Sequence, residues 1–451
     1  MPPAEALVDA RRSIEARYRA RTPESRALHD RASRTLPGGE SRTATWFAPY
    51  PTYIASGLGS TLTDVDGNAL VDFTFNSTSV IHGHAHPEIV AAVQRRVAEG
   101  TAWNAPNAGQ VELAEILCAR VPSLDQVRFC ASGTEANMQV IKAARAFTNR
   151  DRIIKMDLAY HGTYEGVEIH QGADGWDGAG APVSRGVPSN AMDNVLIAPF
   201  DDAEIVEWLL ESHPGQVAAI VVNPAQTQGG LRAPSPGYLK ALRDAADAHG
   251  TLLVFDEVIT LRLARGGGQE FFGVLPDLTA MGKIIGGGLP VGGFGGRAKV
   301  MDIFADRQPP VLPHAGTFNG NPATMAAGIA AMRLLDAAAF EQLAALGEAL
   351  GDGLRAASRR AGVALDVTQI ASVIGVEVPR GGAFAAEILD LIVLELLNRG
   401  FKAASMMTVS TATTADEIRE LADALTDVLR ELRPAIAQAA PAATEPAAST
   451  S

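Results

Sequence analysis

The chain reads as an α/β protein built on a large, mostly parallel sheet, and three observations carry that reading. Thr251-Leu252-Leu253-Val254-Phe255 is a continuous apolar run, the pattern of a central strand covered on both faces. The run from Val217 to Val222 repeats it. From residue 127 to 296, strand-like runs alternate with helical segments, which is how parallel strands are joined. In such open sheets ligands sit at the carboxyl ends of the strands, so chemistry is expected there.

Composition bounds the rest. At 451 residues the length fits roughly three ordinary domains, or two larger ones around a big sheet. With 47% apolar and 20% charged residues, the chain has the make-up of a globular protein with ample core. A formal charge of −13 argues against nucleic acid and anionic membrane surfaces as partners. It leaves room for a small anionic ligand, which answers to local fields. Two cysteines, Cys118 and Cys130, supply no disulfide framework and fit a reducing compartment, so the cytoplasm is the expected location. The N-terminus lacks the apolar core of a secretory signal, and no uninterrupted apolar run reaches spanning length.

In chain order, residues 5 to 35 carry charges throughout and predict one or two exposed or interface helices, closing at Pro37-Gly38-Gly39. The irregular segment Ser41-Arg42-Thr43-Ala44-Thr45-Trp46-Phe47 places one arginine among aromatic and small polar residues. Arg42 is either a carboxylate fork or a solvated arginine beside core aromatics. Residues 52 to 76 predict a small sheet with a hairpin at Asp64-Val65-Asp66-Gly67. His82, His84 and His86 are spaced two apart. On a strand they would share a face and suggest a metal, but Gly83 and Pro87 favour a turn, and no metal is expected. Helices fit 88 to 99 and 111 to 120.

Val127-Arg128-Phe129-Cys130 is a strand, and Ser132-Gly133-Thr134-Glu135 turns it into a helix. Ser132 and Glu135 have the spacing of a capping box, and the helix positive end would suit a phosphate, with Ser132 and Thr134 adding donors. A plain capped helix explains the same residues. Ile153-Ile154-Lys155-Met156 is the next strand and leads to Tyr160-His161-Gly162, where an aromatic ring could stack on a planar ligand. Glycine, aspartate and proline dominate 171 to 191, which predicts a long loop. Pro236 to His249 is a helix closed by Gly250.

The central strand ends at Asp256-Glu257-Val258, and a short strand ending at Met281 delivers Lys283 just ahead of Gly286-Gly287-Gly288. Read alone, Lys283 is either a surface lysine or an amine in a dry pocket, able to condense with an aldehyde. The phosphate turn, Tyr160, Asp256 and Lys283 all fall at predicted strand ends, so one crevice would hold a ligand with a phosphate, a flat ring, a basic ring nitrogen and an aldehyde. Pyridoxal 5′-phosphate (PLP) has all four, and a carboxylate against its ring nitrogen keeps it an electron sink.

With those motifs, and with Gly273-Val274-Leu275-Pro276-Asp277 and Gly316-Thr317-Phe318-Asn319-Gly320-Asn321-Pro322 following in family order, the sequence resembles the class III aminotransferases of fold type I. The resemblance covers nearly the whole chain and points to the branch holding glutamate-1-semialdehyde aminomutase and aromatic β-amino acid aminotransferases. It implies that Lys283 carries the cofactor, that Asp256 meets the ring nitrogen, and that Tyr160 and Val258 lie on the two ring faces with His161 nearby. Ser132, Gly133 and Thr134 would hold the phosphate, and Thr317 would reach the phosphate of a neighbouring subunit in a homodimer with shared sites. The expected divisions are an N-terminal helical segment and small sheet over 1–75, a large cofactor domain over 76–325, a smaller α+β domain over 326–433 and a disordered tail over 434–451. Helices are expected near 322 to 336, 338 to 361 and 384 to 399, then a final amphipathic helix with the stripe Ile418, Leu421, Leu425, Val428, Leu432.

Two departures from the family bear on the substrate. Asn223 stands where many relatives carry a glutamate that gates an arginine, and it cannot act as that charge switch. The region of the arginine that takes the acceptor's carboxylate in aromatic β-amino acid aminotransferases reads Phe401-Lys402-Ala403-Ala404-Ser405-Met406-Met407 and has none; Lys402 or Arg399 would have to substitute. Arg42 then becomes the carboxylate candidate, with Trp46, Phe47 and Trp103 as pocket aromatics. The expected activity is transfer of an amino group from an amine or amino acid, aromatic and β-amino acids included, to a keto acid or aldehyde. The alternatives are a glutamate-1-semialdehyde aminomutase and a PLP-binding protein without turnover.

Overall fold

The computed structural model describes residues 5–172, 180–305, 311–379 and 384–439. Two compact units make up the chain, one of Asn76–Ile81 and His86–Gln342, the other of Met1–Phe75, His82–Ala85 and Leu343–Ser451.

The first unit is organised by a seven-stranded sheet: β1 (Gln126–Cys130), β2 (Arg152–Met156), β3 (Val195–Ala198), β4 (Val217–Val222), β5 (Leu252–Asp256), β6 (Leu278–Gly282) and β7 (Gly292–Gly296). Their order is β1-β7-β6-β5-β4-β2-β3, with only β7 antiparallel to its neighbours. Side chains alternate across the sheet. Leu252 and Val254 therefore enter the core on one face, Leu253 and Phe255 on the other. Helix Gly133–Thr148 covers the first face through Ala136, Val140, Ile141, Ala143 and Ala144. Helices Ala203–Ser212 and Tyr238–His249 cover the second through Val206, Leu209, Leu239, Leu242 and Ala246. This double cover is why β4 and β5 read as unbroken apolar runs. In register, Gly282 faces Gly292, Gly292 faces Cys130 and Asp256 faces Ala280, which brings the carboxyl ends of β1, β5 and β6 to one edge.

In the second unit, Ile54–Leu58, Thr61–Asp64 and Ala69–Asp72 form the expected small sheet, and Phe401–Lys402 joins it parallel to Ala69–Asp72. A second sheet pairs Asp366–Ile370, Val373–Glu377 and Met406–Thr408. Helix Glu5–Arg21 packs on helices Ala385–Asn398 and Ala415–Ala439, where Arg17 meets Glu395 at 3.0 Å and Glu431 at 2.7 Å.

The expected divisions differ from this arrangement. Residues 1–75 share a unit with the C-terminal part, because the strand Ala69–Asp72 takes Phe401–Lys402 as its partner. The division near 325/326 moves to Leu343, inside helix Ala337–Ala361, since helix Pro322–Leu334 packs within the first unit on helices Pro87–Val97 and Ala108–Cys118. The last helix continues through Pro434 to Ala439, carried by the buried side chains of Ala435 and Ala439, so 434–439 are helical rather than tail. Residues 440–451 lie outside the described residues, as do 173–179 of the long loop. The rest of that loop is not structureless: Ile169–Gln171 pairs with Gly180–Pro182, and Ser189–Asn194 is a 3-10 helix. No single helix among the described residues is long and apolar enough to cross a membrane.

Candidate active site

The site builds up from the end of β1. Ser132 Oγ accepts from the Glu135 N–H at 3.2 Å, and Glu135 Oε2 accepts from the Ser132 N–H at 3.1 Å, the expected capping box. In a helix the first-turn N–H groups have no intrahelical acceptor, so those of Gly133 and Thr134 face outward at the positive end, where an anion binds. The Tyr160–Gly162 segment stands beside this cap. Thr134 Oγ1 accepts from the Thr163 N–H at 3.3 Å, and a Cβ on Gly162 would come within 2.5 Å of that oxygen; the Gly162 φ of +103° also requires glycine.

Asp256 ends β5 and is 2% exposed. Its Oδ2 accepts from His161 Nδ1 at 2.8 Å and from Asn137 Nδ2 at 2.9 Å, and its Oδ1 accepts from the Val258 N–H at 3.0 Å. Because a carboxylate only accepts, the His161 proton is assigned to Nδ1; Nε2 is buried and has no hydrogen-bond partner among the described residues. The three partners are a ring nitrogen, an amide and a main-chain N–H, none a lysine or arginine. A buried carboxylate in that setting suits a ligand with a protonated ring nitrogen, which is the chemical test that PLP passes here. The neighbouring Glu257 has a structural part. Burial pushes it above the ordinary carboxylate range, while donors from Gly268, Gln269 and Thr260 oppose this. Those donors, at 2.6–3.1 Å, tie the following loop to the strand end.

Lys283 follows β6 directly, half-buried, with φ +51°, a left-handed conformation uncommon for a residue with a side chain. A Cβ on Gly282 would stand 3.5 Å from Val258 Cγ1 and 3.7 Å from Gly133 Cα, and one on Gly133 would stand 3.1 Å from Val258 Cγ2. Val258, the helix cap at Gly133 and the strand end that carries Lys283 therefore meet. Tyr160 is 56% exposed, its ring open to a ligand. Thr317 is exposed on a turn braced by Asn319, whose Nδ2 donates to His314 Nε2 at 3.2 Å. Burial and the nearby charge of Arg128 hold His314 below the usual imidazole range, which favours the neutral ring.

The substrate candidates divide between the units. In the first, Trp103 is half-exposed with the Arg96 guanidinium 5.9 Å from its ring centroid. In the second, Arg42 and Trp46 are exposed on one short turn, and Phe47 packs edge-on against Tyr18. Arg399 is engaged by Glu395 at 3.1 Å and Glu431 at 2.8 Å. Lys402 lies beside Asp72 in the sheet, and burial pushes its amine below the usual lysine range; Asp72 opposes that and the charge of Arg42 adds to it. Asp72 is itself raised by burial, but donors from His84 and Thr74 outweigh this and leave it below its ordinary value. The three spaced histidines diverge: His84 Nε2 binds Asp72 at 2.9 Å, His82 Nδ1 is 3.3 Å from Thr411 Oγ1, and His86 precedes helix Pro87–Val97. Among the described residues no three His, Cys, Asp or Glu side chains gather as a metal site.

Asn137 is the residue that sequence reasoning passed over. A signal was present: position 137 lies on the apolar face of its helix with Val140, Ile141 and Ala144, where a polar side chain is out of place.

Fold and site together place the protein among the α/β enzymes that use PLP. The chain belongs to the class III aminotransferases: the family model Aminotransferase class-III matches residues 43–429. It is 42% identical over 360 residues to a glutamate-1-semialdehyde 2,1-aminomutase of Roseiflexus castenholzii, covering 79% of this chain and 82% of that one. It is similar in structure to an omega-transaminase from Sphaerobacter thermophilus, with TM-score 0.87 and 42% identity over 91% of this chain and 98% of that one. A β-phenylalanine aminotransferase from Variovorax paradoxus matches with TM-score 0.85 and 34% identity, over 95% of this chain and 98% of that one. The protein is thus a PLP-dependent enzyme.

Proposed function

We propose that the enzyme moves an amino group from an amine or amino acid, aromatic and β-amino acids included, to a keto acid or aldehyde, and that Arg42 takes the substrate's carboxylate. The observation that carries this is the position of Arg42: it is exposed at the start of the turn Thr43–Thr45, where a guanidinium fork can take a carboxylate. Trp46, 50% exposed four residues on, suits an aromatic body. The names of the Sphaerobacter and Variovorax relatives agree with a transaminase.

Bound PLP supplies an electron sink for the bond broken at the substrate's amino-bearing carbon. Lys283 would hold the cofactor and provide the amine that moves the proton. Asp256, backed by His161, would keep the ring nitrogen protonated; Ser132, Gly133 and Thr134 would hold the phosphate, and Tyr160 and Val258 would flank the ring. Trp103 borders the substrate. Thr317 would reach the phosphate held by a second copy in a homodimer, and the cytoplasm is its proposed location.

A second reading, the aminomutase, is favoured by the name of the Roseiflexus relative. Both are tested by adding α-amino acids, β-amino acids, simple amines and glutamate-1-semialdehyde singly to the PLP-loaded enzyme without acceptor. Bleaching of the visible band with release of a keto product establishes transamination and names the donor. Isomerisation of the semialdehyde alone establishes the aminomutase, and a silent spectrum with every compound defeats both.

A further inference from the structure

We infer that Asn137 is a positioning residue, holding the Asp256 carboxylate at the orientation in which it meets the cofactor and tying it to the phosphate cap. The inference rests on Asp256 meeting the PLP ring nitrogen. Asn137 is 1% exposed, and its Nδ2 donates both to Asp256 Oδ2 at 2.9 Å and to the Gly133 carbonyl at 3.2 Å. Its Oδ1 is buried and has no hydrogen-bond partner among the described residues. A buried amide with an unpaired oxygen is unfavourable, and a small apolar residue on this helix face would avoid that cost. What the amide does through Nδ2 is therefore its reason for being there.

That single nitrogen joins two grips. Gly133 opens the helix whose N-terminus suits the phosphate, and Asp256 ends the strand whose carboxylate suits the ring nitrogen. His161 Nδ1 and Asn137 Nδ2 both load Oδ2, whereas among the described residues Oδ1 receives only the Val258 N–H. Oδ1 is thus the oxygen with acceptor capacity left for a ring N–H. An aspartate at 137 would keep the shape but set a second carboxylate against the first, so that one of the two must hold a proton.

The test is titration of apo-protein with PLP, followed by visible absorption across mildly acidic to mildly alkaline pH, in wild type, Asn137→Ala, Asn137→Asp and Asp256→Ala. Asn137→Ala is expected to weaken PLP binding roughly tenfold. Asn137→Asp should weaken it more, with affinity recovering as the pH falls. Should the alanine variant fail to fold, the isosteric aspartate variant carries the test. Wild-type affinity in both variants, or a loss in Asn137→Asp that is equal at every pH, overturns the inference while a weakened Asp256→Ala leaves the ring-nitrogen reading standing. Wild-type binding by Asp256→Ala removes that reading and this inference with it.

Discussion

His161 Nδ1 lies 2.8 Å from Asp256 Oδ2, with the two side chains 0% and 2% exposed. The bond is made in a dry interior, where a hydrogen bond to a charged acceptor is stronger than on the surface. His161→Phe keeps a ring in place and removes the donor. A lost hydrogen bond to a charged group costs about 1.5–3 kcal/mol, so PLP is expected to bind roughly 10- to 100-fold more weakly. Equilibrium dialysis would measure this, and wild-type retention would mean that His161 only fills space.

Lys283→Ala is expected to lose the visible band of the loaded enzyme and to lower turnover by about a hundredfold or more, the smallest contribution usual for a positioned proton-transfer group. An absorption spectrum and one donor assay suffice. A variant that turned over at the wild-type rate would overturn the assignment of this lysine.

Arg42→Ala is expected to raise KM for carboxylated donors roughly tenfold and to leave simple amines unchanged, because only the former lose a charge-assisted contact. Equal losses on both kinds of donor would instead point to damage in the turn Thr43–Thr45 that carries it.

Lys155 makes a prediction about pH that does not involve catalysis. Its side chain is buried on β2, its Nζ donates to the Ile169 carbonyl at 2.9 Å, and burial pushes the amine from 10.5 down to about 8. Between those values the unfolded chain holds a proton that the folded chain has released, so this group adds stability as pH rises through the window. The gain is on the order of 3 kcal/mol. Lys155→Met removes it, so denaturant melts of wild type and variant should move in the wild type's favour across that range. A gap between them that stays constant with pH would refute the proposal.

The parts of this protein legible in its sequence are those set by short-range physics. Buried strands announce themselves as apolar runs because both faces are covered. The cap at Ser132 and Glu135 is a three-residue relationship, and the strand ends at Asp256 and Lys283 follow from where those runs stop. Only tertiary structure decided which partners meet. Asp256 draws Asn137 from 119 residues away and His161 from 95, and no periodicity records such a choice. The same holds for the strand Phe401–Lys402, which lies on Ala69–Asp72 and so puts N-terminal and C-terminal segments in one unit, and for Arg399, which is taken up by Glu395 and Glu431 while Lys402 lies beside Asp72. Local hydrogen bonds and side-chain alternation are written residue by residue, whereas the pairing of distant polar groups is settled by which helices and strands can pack together.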